Sequence, residues 1–150
     1  TPANVGSYSD LGIQIVPEAI DGLSIGYATG ESDETATVSV DHETIWVKYA
    51  YGSFTVGVQQ SERDGGTAGT LDESDSFGIS YAVSDEFSVS YGQHEYEEGT
   101  DADVQESSGI SASYTSGGVT VSTAFNATDN IQNDAAADEE SFEIAVSFAF

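Results

Sequence analysis

The sequence contains no cysteine and no methionine, and its 150 residues include only two basic side chains, Lys48 and Arg63. The missing cysteines exclude a disulfide framework, a thiolate nucleophile and a cysteine-ligated metal. No apolar run approaches the roughly 18 residues that a transmembrane helix needs. Against the two bases stand 27 acidic residues, which give a net charge of −25. We therefore expect a surface that repels nucleic acid.

The composition nevertheless predicts a folded chain. Eight Tyr, seven Phe and regularly spaced Val and Ile argue against the disorder that a high net charge often brings. The length suits a single domain, residues 1–150. The chain starts without a basic segment followed by an apolar one, so we interpret it as a mature protein or an internal piece of one. Its acidity suits a salty, marine habitat.

The last ten residues, SFEIAVSFAF, alternate strictly between Phe, Ile or Val and small or polar residues. Successive side chains of a strand point to opposite faces, so this segment is predicted to be a strand with one apolar face. The same alternation predicts nine strands, at about 8–16, 22–30, 43–51, 54–60, 76–83, 87–95, 107–115, 119–126 and 141–150. No segment keeps a helical period, and we predict an all-β protein.

Short and long connections alternate between the predicted strands. The short ones have the Gly, Asp and Ser composition of tight hairpins, and the long ones lie near 30–42, 61–75, 95–106 and 127–140. Strands joined in this way form an antiparallel up-and-down sheet with all the long connections at one end. Most of the acidic residues fall in the long segments, so we predict acidic loops at that end.

The ionisable residues within the predicted strands indicate which face is inside. Asp10, Lys48, His94 and Glu143 fall opposite the apolar residues, on a face that is otherwise mostly Ser, Thr, Gly and Ala. Aromatic residues flank the aliphatic middle of the strands; those near the short turns are Tyr51, Phe54, Phe87, Tyr114, Phe148 and Phe150. Aromatic girdles around an aliphatic belt are typical of strands that cross a bilayer. We therefore predict an antiparallel up-and-down transmembrane β-barrel with its polar face inside.

With these features, the sequence resembles the C-terminal half of a bacterial general outer-membrane porin, as in photosynthetic and marine alphaproteobacteria. SFEIAVSFAF is similar to the terminal strand of such barrels, and FGISYAVSDEFSVSYGQ and SGISASYTSGGVTVSTAF are similar to porin hairpins. The resemblance implies a sixteen-stranded barrel of which the nine strands are the C-terminal part. It also implies a homotrimer, and recognition of the last strand with Phe150 by the barrel assembly machinery.

The same resemblance implies an outer-membrane location, with contacts to the lipid bilayer and to lipopolysaccharide. The short turns would be periplasmic and the long acidic loops extracellular. The sequence departs from a complete porin in one respect, because no strand carries a ladder of arginines. The constriction residues therefore cannot be assigned.

Two groups of residues are candidate sites. Asp10, Lys48, His94 and Glu143 are candidates for the pore wall; Lys48 is equally well a partner of a neighbouring carboxylate. The second candidate is a calcium site formed by Glu97, Glu98, Asp101 and Asp103, because clustered carboxylates suit Ca²⁺. Solvated acids of a salt-adapted loop explain the same cluster equally well. No other cofactor is expected. No Ser-His-Asp arrangement or nucleophile elbow can be placed, so we predict that the protein is not an enzyme.

The sequence thus predicts a porin, a water-filled channel for passive diffusion of ions and small hydrophilic solutes, in which the acidic loops favour cations. Two alternatives stay open. A non-conducting barrel that acts as an anchor, adhesin or phage receptor would need a plug or larger inward side chains. A secreted, salt-adapted β-sandwich would bind ligands through its loops and would be soluble without detergent.

Overall fold

A computed structural model describes residues 8–35, 38–65, 71–99 and 103–149. They form one antiparallel sheet in which each strand pairs with its neighbours in the chain. The strands are β1 (Tyr8–Ile15), β2 (Leu23–Thr35), β3 (Val38–Tyr51), β4 (Phe54–Asp64), β5 (Leu71–Ala82), β6 (Phe87–Glu98), β7 (Gln105–Ser116), β8 (Val119–Asp129) and β9 (Glu139–Phe148). A 3₁₀ turn, Ile131–Asn133, lies between β8 and β9.

The predicted all-β, up-and-down arrangement of nine strands is confirmed. The sheet is not closed into a barrel, because β1 and β9 form its two edges and do not pair with each other in the described part of the chain. Across the same ranges, no helix has the length and apolar character to cross a membrane.

The hairpin between β7 and β8 shows how local chemistry sets the short turns. Gly117 and Gly118 both have positive φ, 59° and 82°. A two-residue turn with positive φ at both central positions matches the twist of the flanking strands, and glycine adopts it without steric cost. The Ser116–Val119 pair closes the ladder directly beside this turn.

The strand register places the apolar residues on one continuous face. Val47, Val58 and Phe77 are cross-strand neighbours in one row, for example, and on the same face Phe125 of β8 is opposite Phe142 of β9. We call this face the apolar belt; it consists of the alternate residues of 11–15, 23–27, 45–51, 54–58, 77–81, 87–91, 110–114, 119–125 and 142–148. The opposite face of the same strands is the polar face.

The apolar belt is exposed rather than packed into a core. Val40 is the single fully buried hydrophobic side chain among the described residues, whereas Phe142 and Ile144 are each 65% exposed. The accessible surface is 10273 Å², against about 7,300 Å² for a compact monomer of this mass. A second layer that would cover the belt is absent from the described ranges.

The strands are longer at one end than the sequence predicted. β2 continues to Thr35 and β3 begins at Val38, although the sequence predicts a loop over 30–42. The strands β4 to β9 are also longer than predicted at the same end of the sheet. The prediction that most of the acids lie in long loops is therefore wrong, because most of them lie in these strand extensions. The register that pairs the belt residues of neighbouring strands continues into the acidic segments, so backbone hydrogen bonding continues there as well.

Candidate functional site: the polar face and the acidic ladders

The four residues predicted for the pore wall all lie on the polar face. Asp10 faces Gly30, Lys48 faces Ser24 and Gly57, and Glu143 faces Ala124. His94 faces Ser76, and its Nδ1 lies 3.0 Å from the Ser76 hydroxyl. All four lie on the face that the sequence pattern predicts. They belong to four different strands, β1, β3, β6 and β9, and do not form one cluster. Their pore-lining role stays a prediction.

A row of glycines crosses the polar face level with Lys48. Gly57, Gly78, Gly92 and Gly109 are direct neighbours on β4 to β7. The glycines with positive φ lie elsewhere in the described chain, so the backbone conformation does not require these four. A Cβ at Gly57, Gly78 or Gly92 would contact nothing closer than 3.7 Å. At these three positions the row is therefore a recess in the polar face, whereas a Cβ at Gly109 would overlap the Asn126 side chain.

Trp46 is the one large apolar side chain in the middle of the polar face. Its indole lies over Gly26 on β2, because a Cβ at Gly26 would overlap the indole atoms Nε1, Cε2 and Cζ2. Gly26 is buried under the ring, while Trp46 itself is partly exposed. The missing side chain at Gly26 thus leaves the space that the indole of the only tryptophan of the chain occupies.

All the basic side chains of the chain, including the two histidines, lie on the polar face. His42 and Arg63 are cross-strand partners there, on the same face as Lys48 and His94. Arg63 Nη1 lies 3.0 Å from Asp72 Oδ2, and the Asp72 side chain is only 13% exposed. This ion pair sits in the part of the strands that extends beyond the apolar belt. The polar face is consequently less acidic than the net charge of the chain suggests.

Tyr96 lies beside this ion pair, also beyond the apolar belt. Burial, and then the negative charges of Asp72 and Glu98, raise the pKa of the Tyr96 phenol, while Arg63 opposes the rise. Both effects disfavour the charged phenolate. The neutral phenol is therefore favoured at this end of the polar face.

The acids of the strand extensions form ladders on the same face as the apolar belt. Directly opposed carboxylates run from β3 to β6 in one ladder and from β5 to β8 in another. The first ladder is Glu43, Glu62, Glu73 and Glu97, and the second is Asp75, Glu95, Glu106 and Asp129. Like charges directly opposite each other on a sheet are destabilising. Beyond its apolar rows, this face is therefore a surface of self-repelling charge.

Sequence reasoning missed these acidic ladders, although a signal was present. Acids two residues apart, such as Glu31 with Asp33 or Glu95 with Glu97, continue the period of the apolar rows. A period of two is the mark of a strand whether its residues are apolar or charged. A search for alternating apolar residues does not detect this signal, because charged residues at the same spacing give no apolar contrast.

The predicted calcium ligands are only partly brought together. Glu97 and Glu98 are successive residues of β6, so their side chains point to opposite faces of the sheet. Asp103 lies in the following connection, and Asp101 lies outside the described residues. Within the described ranges, no three His, Asp or Glu side chains are arranged to hold a metal ion. The calcium site stays a prediction.

The predicted aromatic girdle residues lie at the turn end of the apolar belt. Tyr51 faces Phe54, and Phe87 faces Tyr114. The Phe54 ring stacks on Tyr81 with centroids 4.3 Å apart. Phe148, the last belt residue of β9, is 65% exposed, and Phe150 lies outside the described residues.

The connection between β8 and β9 folds back over the end of β7. Asn133 is buried, and its Nδ2 donates to the Asp103 carbonyl at 2.7 Å and to the Tyr96 carbonyl at 3.5 Å. Asn130 Nδ2 donates to the Val104 carbonyl at 2.8 Å. The backbone N–H of Gln132 donates to the Gln105 side chain, which lies on the polar face. Hydrogen bonds of side-chain amides therefore hold this connection against the start of β7, at the acidic end of the sheet.

We expect Asn133→Gly to loosen this connection. Glycine keeps the positive φ of 57° without strain, so the variant removes only the hydrogen bonds, a loss of about 1 kcal/mol. Amide hydrogen exchange at Ile131 and Ala137, which are bonded within the connection, should accelerate roughly fivefold. Unchanged exchange would show that Asn133 does not hold the connection, and exchange of the β7 amides serves as the internal control.

The described sheet thus combines an exposed apolar belt, a polar face that carries the basic residues, and acidic ladders at one end. No protein-family model, curated protein or solved structure matches the chain. These three features are the basis on which a function can be proposed.

Proposed function

We propose that this chain forms part of the wall of a bacterial outer-membrane porin. In this proposal the apolar belt contacts lipid, and the polar face lines a water-filled channel for ions and small hydrophilic solutes. The observation that carries the proposal is the apolar belt, exposed on nine consecutive strands with no layer over it in the described residues. An apolar surface of this extent is unfavourable in water, whereas the hydrocarbon core of a bilayer is a matching solvent for it.

Closure is the second element of the proposal. β1 and β9 are edges with unpaired backbone groups in the described sheet, and an open edge within a bilayer leaves N–H and C=O groups without partners. We therefore propose that further strands pair with β1 and β9 and complete the barrel. A sixteen-stranded barrel assembled as a homotrimer is the form that the porin resemblance implies.

The charges support a preference for cations. The acidic ladders lie on the same face as the apolar belt, so the proposal places them around the outside of one mouth, beside the lipopolysaccharide headgroups. They would raise the cation concentration near that mouth, with a range set by the Debye length of about 10 Å at 0.1 M salt. The bases on the polar face weaken this preference inside the channel.

The proposal is tested by planar-bilayer conductance of the native, detergent-extracted protein, with reversal potentials measured across a KCl gradient. We expect stepwise openings and a cation preference that declines as salt rises, because screening shortens the reach of the acidic ladders. A correctly folded barrel that stays silent would contradict the channel and favour a non-conducting anchor or receptor. A monodisperse protein that is soluble without detergent would contradict the membrane location and favour a secreted sandwich.

A further inference from the structure

A groove of about 400 Å³ lies across β3 to β6, at the border between the apolar belt and the second acidic ladder. Two neighbouring rows of the strand register form most of its lining. The row towards the belt is apolar on three strands and consists of Val47, Val58, Phe77 and Gln93. The row towards the acidic end changes from apolar to charged and consists of Ile45, Gln60, Asp75 and Glu95. The groove therefore joins an apolar surface to two carboxylates.

A smaller groove of about 120 Å³ continues this one onto β2. The two grooves share Ile45 and Gln60, and the smaller one adds Tyr27, Glu43 and Glu62. The Tyr27 hydroxyl donates to the Glu43 carboxylate at 2.7 Å, so the polar end of this ring meets the acids. Tyrosines with an apolar ring and a polar end in this arrangement are typical of the headgroup level of a bilayer. We call the two grooves together the boundary groove.

The apolar part of the boundary groove is open to its surroundings. Ile45 and Val58 are each 49% exposed, and Phe77 is 40% exposed. In the proposed barrel these side chains contact lipid at the level where the acyl chains begin. The next row towards the short turns continues the apolar belt through Val56 and Ile79. A hydrocarbon chain can therefore lie along the belt while its polar head occupies the boundary groove.

The carboxylates of the groove have no basic side chain on their own face. Lys48, Arg63 and the two histidines are the only basic side chains of the chain, and all four lie on the polar face. Asp75 and Glu95 are direct cross-strand neighbours, and the Gln93 amide that donates to Glu95 at 3.0 Å is neutral. Directly opposed carboxylates repel each other. A cation between them relieves this repulsion, whereas an anion adds to it.

We infer that the boundary groove binds a membrane lipid whose headgroup carries an ammonium group and no phosphate. The ammonium lies at Asp75 and Glu95, and the acyl chains begin at Val58 and Phe77. Charge complementarity selects this occupant, because the phosphate of an anionic or zwitterionic lipid would meet the same carboxylates. The Phe77 ring adds to the selection, since aromatic faces attract ammonium groups. The inference rests on the proposed membrane location, because the lipid reaches the groove from the bilayer.

The experiment places the only tryptophan of the protein in the groove, by Phe77→Trp in a Trp46→Phe background. The protein is reconstituted in phosphatidylcholine vesicles, and a fraction of the lipid is replaced by a brominated lipid, which quenches indole fluorescence on contact. Brominated diacyl-trimethylammonium-propane and brominated phosphatidylcholine both carry a trimethylammonium group, and only the second carries a phosphate. We expect the first to bind about fivefold more tightly than the second, and brominated phosphatidylglycerol to bind more weakly than either.

Matched variants separate the groove from the general attraction of an acidic protein for cationic lipid. Asp75→Asn with Glu95→Gln should lower the fivefold preference roughly threefold. Glu106→Gln with Asp129→Asn should leave the preference unchanged, because it removes the same charge from the same ladder outside the groove. Both pairs remove a repulsion between opposed carboxylates, so neither should impair folding.

A second pair of variants supplies a competing ammonium. Gln60 is the cross-strand neighbour of Asp75 on the belt face, and Gln59 lies on the polar face. Gln60→Lys should therefore lower the preference for the cationic lipid roughly threefold, and Gln59→Lys should not change it.

Equal quenching by the cationic and zwitterionic lipids would overturn the inference, and so would tighter binding of brominated phosphatidylglycerol. An equal loss in the two acid pairs would assign the preference to diffuse charge and overturn the groove as a site. Conductance separates this inference from the proposed channel. A conducting protein without the lipid preference overturns only the groove, and a silent protein with the preference overturns only the channel.

Discussion

Replacing Ile79 with arginine should destabilise the bilayer-inserted protein strongly, whereas the same replacement at Ser80 should be tolerated. The two residues are adjacent on β5, and their side chains point to opposite faces. Ile79 lies in the middle of the apolar belt between Val56 and Tyr91, and Ser80 lies on the polar face between Thr55 and Ser90. In the proposed barrel, arginine at position 79 would face the hydrocarbon core.

The expected loss for Ile79→Arg is about 2–4 kcal/mol in the free energy of unfolding, because this is the cost of arginine on the lipid face near the bilayer midplane. Ser80→Arg adds the same charge on the face that the proposal gives to water, and we expect a change below about 1 kcal/mol. The measurement is urea unfolding of the protein in phospholipid vesicles, with folded and unfolded forms separated by electrophoretic mobility. Equal stabilities of the two variants would contradict a lipid-facing belt.

Reversing one charge in the first acidic ladder should stabilise the protein. Glu62 faces Glu43 on one side and Glu73 on the other. Glu62→Lys replaces two directly opposed repulsive pairs by two attractive ones, each pair being worth about 0.2–1 kcal/mol. We expect a gain of about 1–2 kcal/mol at low salt that falls as added salt screens the charges.

Glu143→Lys is the matched control for this prediction. It makes the same change in net charge, but Glu143 faces Ala124 and has no acid directly opposite. The midpoint of thermal unfolding at 20 mM and 500 mM NaCl should rise for Glu62→Lys mainly at low salt and should change little for Glu143→Lys. If both variants shift the midpoint equally, the effect comes from net charge and the ladders are energetically unimportant.

Some features of this protein are local, and the sequence predicted them well. Alternation in segments such as SFEIAVSFAF depends on the geometry of a single strand, so it identified the strands and assigned Lys48 and Glu143 to the polar face. The tight turns were predicted from similarly local chemistry, as at Gly117 and Gly118, whose positive φ suits a two-residue hairpin.

Other features depend on which residues of different strands become neighbours. The alternation within a single strand does not predict them. The sequence pattern predicts loops at the acidic segments because a polar segment shows no apolar contrast. Continued backbone pairing nevertheless extends the strands through them. The acidic ladders follow from register, since Glu43, Glu73 and Glu97 are far apart in the chain and meet only across β3 to β6. The packing of Trp46 over Gly26 likewise joins residues of different strands.

The sequence by itself therefore determined the strands, their order and the character of each face, because a period of two is a property of one extended segment. Only the tertiary structure decided how far the strands extend, which carboxylates oppose one another, and that Lys48 lies level with a row of glycines on four neighbouring strands. Those outcomes depend on cross-strand register, which backbone hydrogen bonding establishes over the whole sheet.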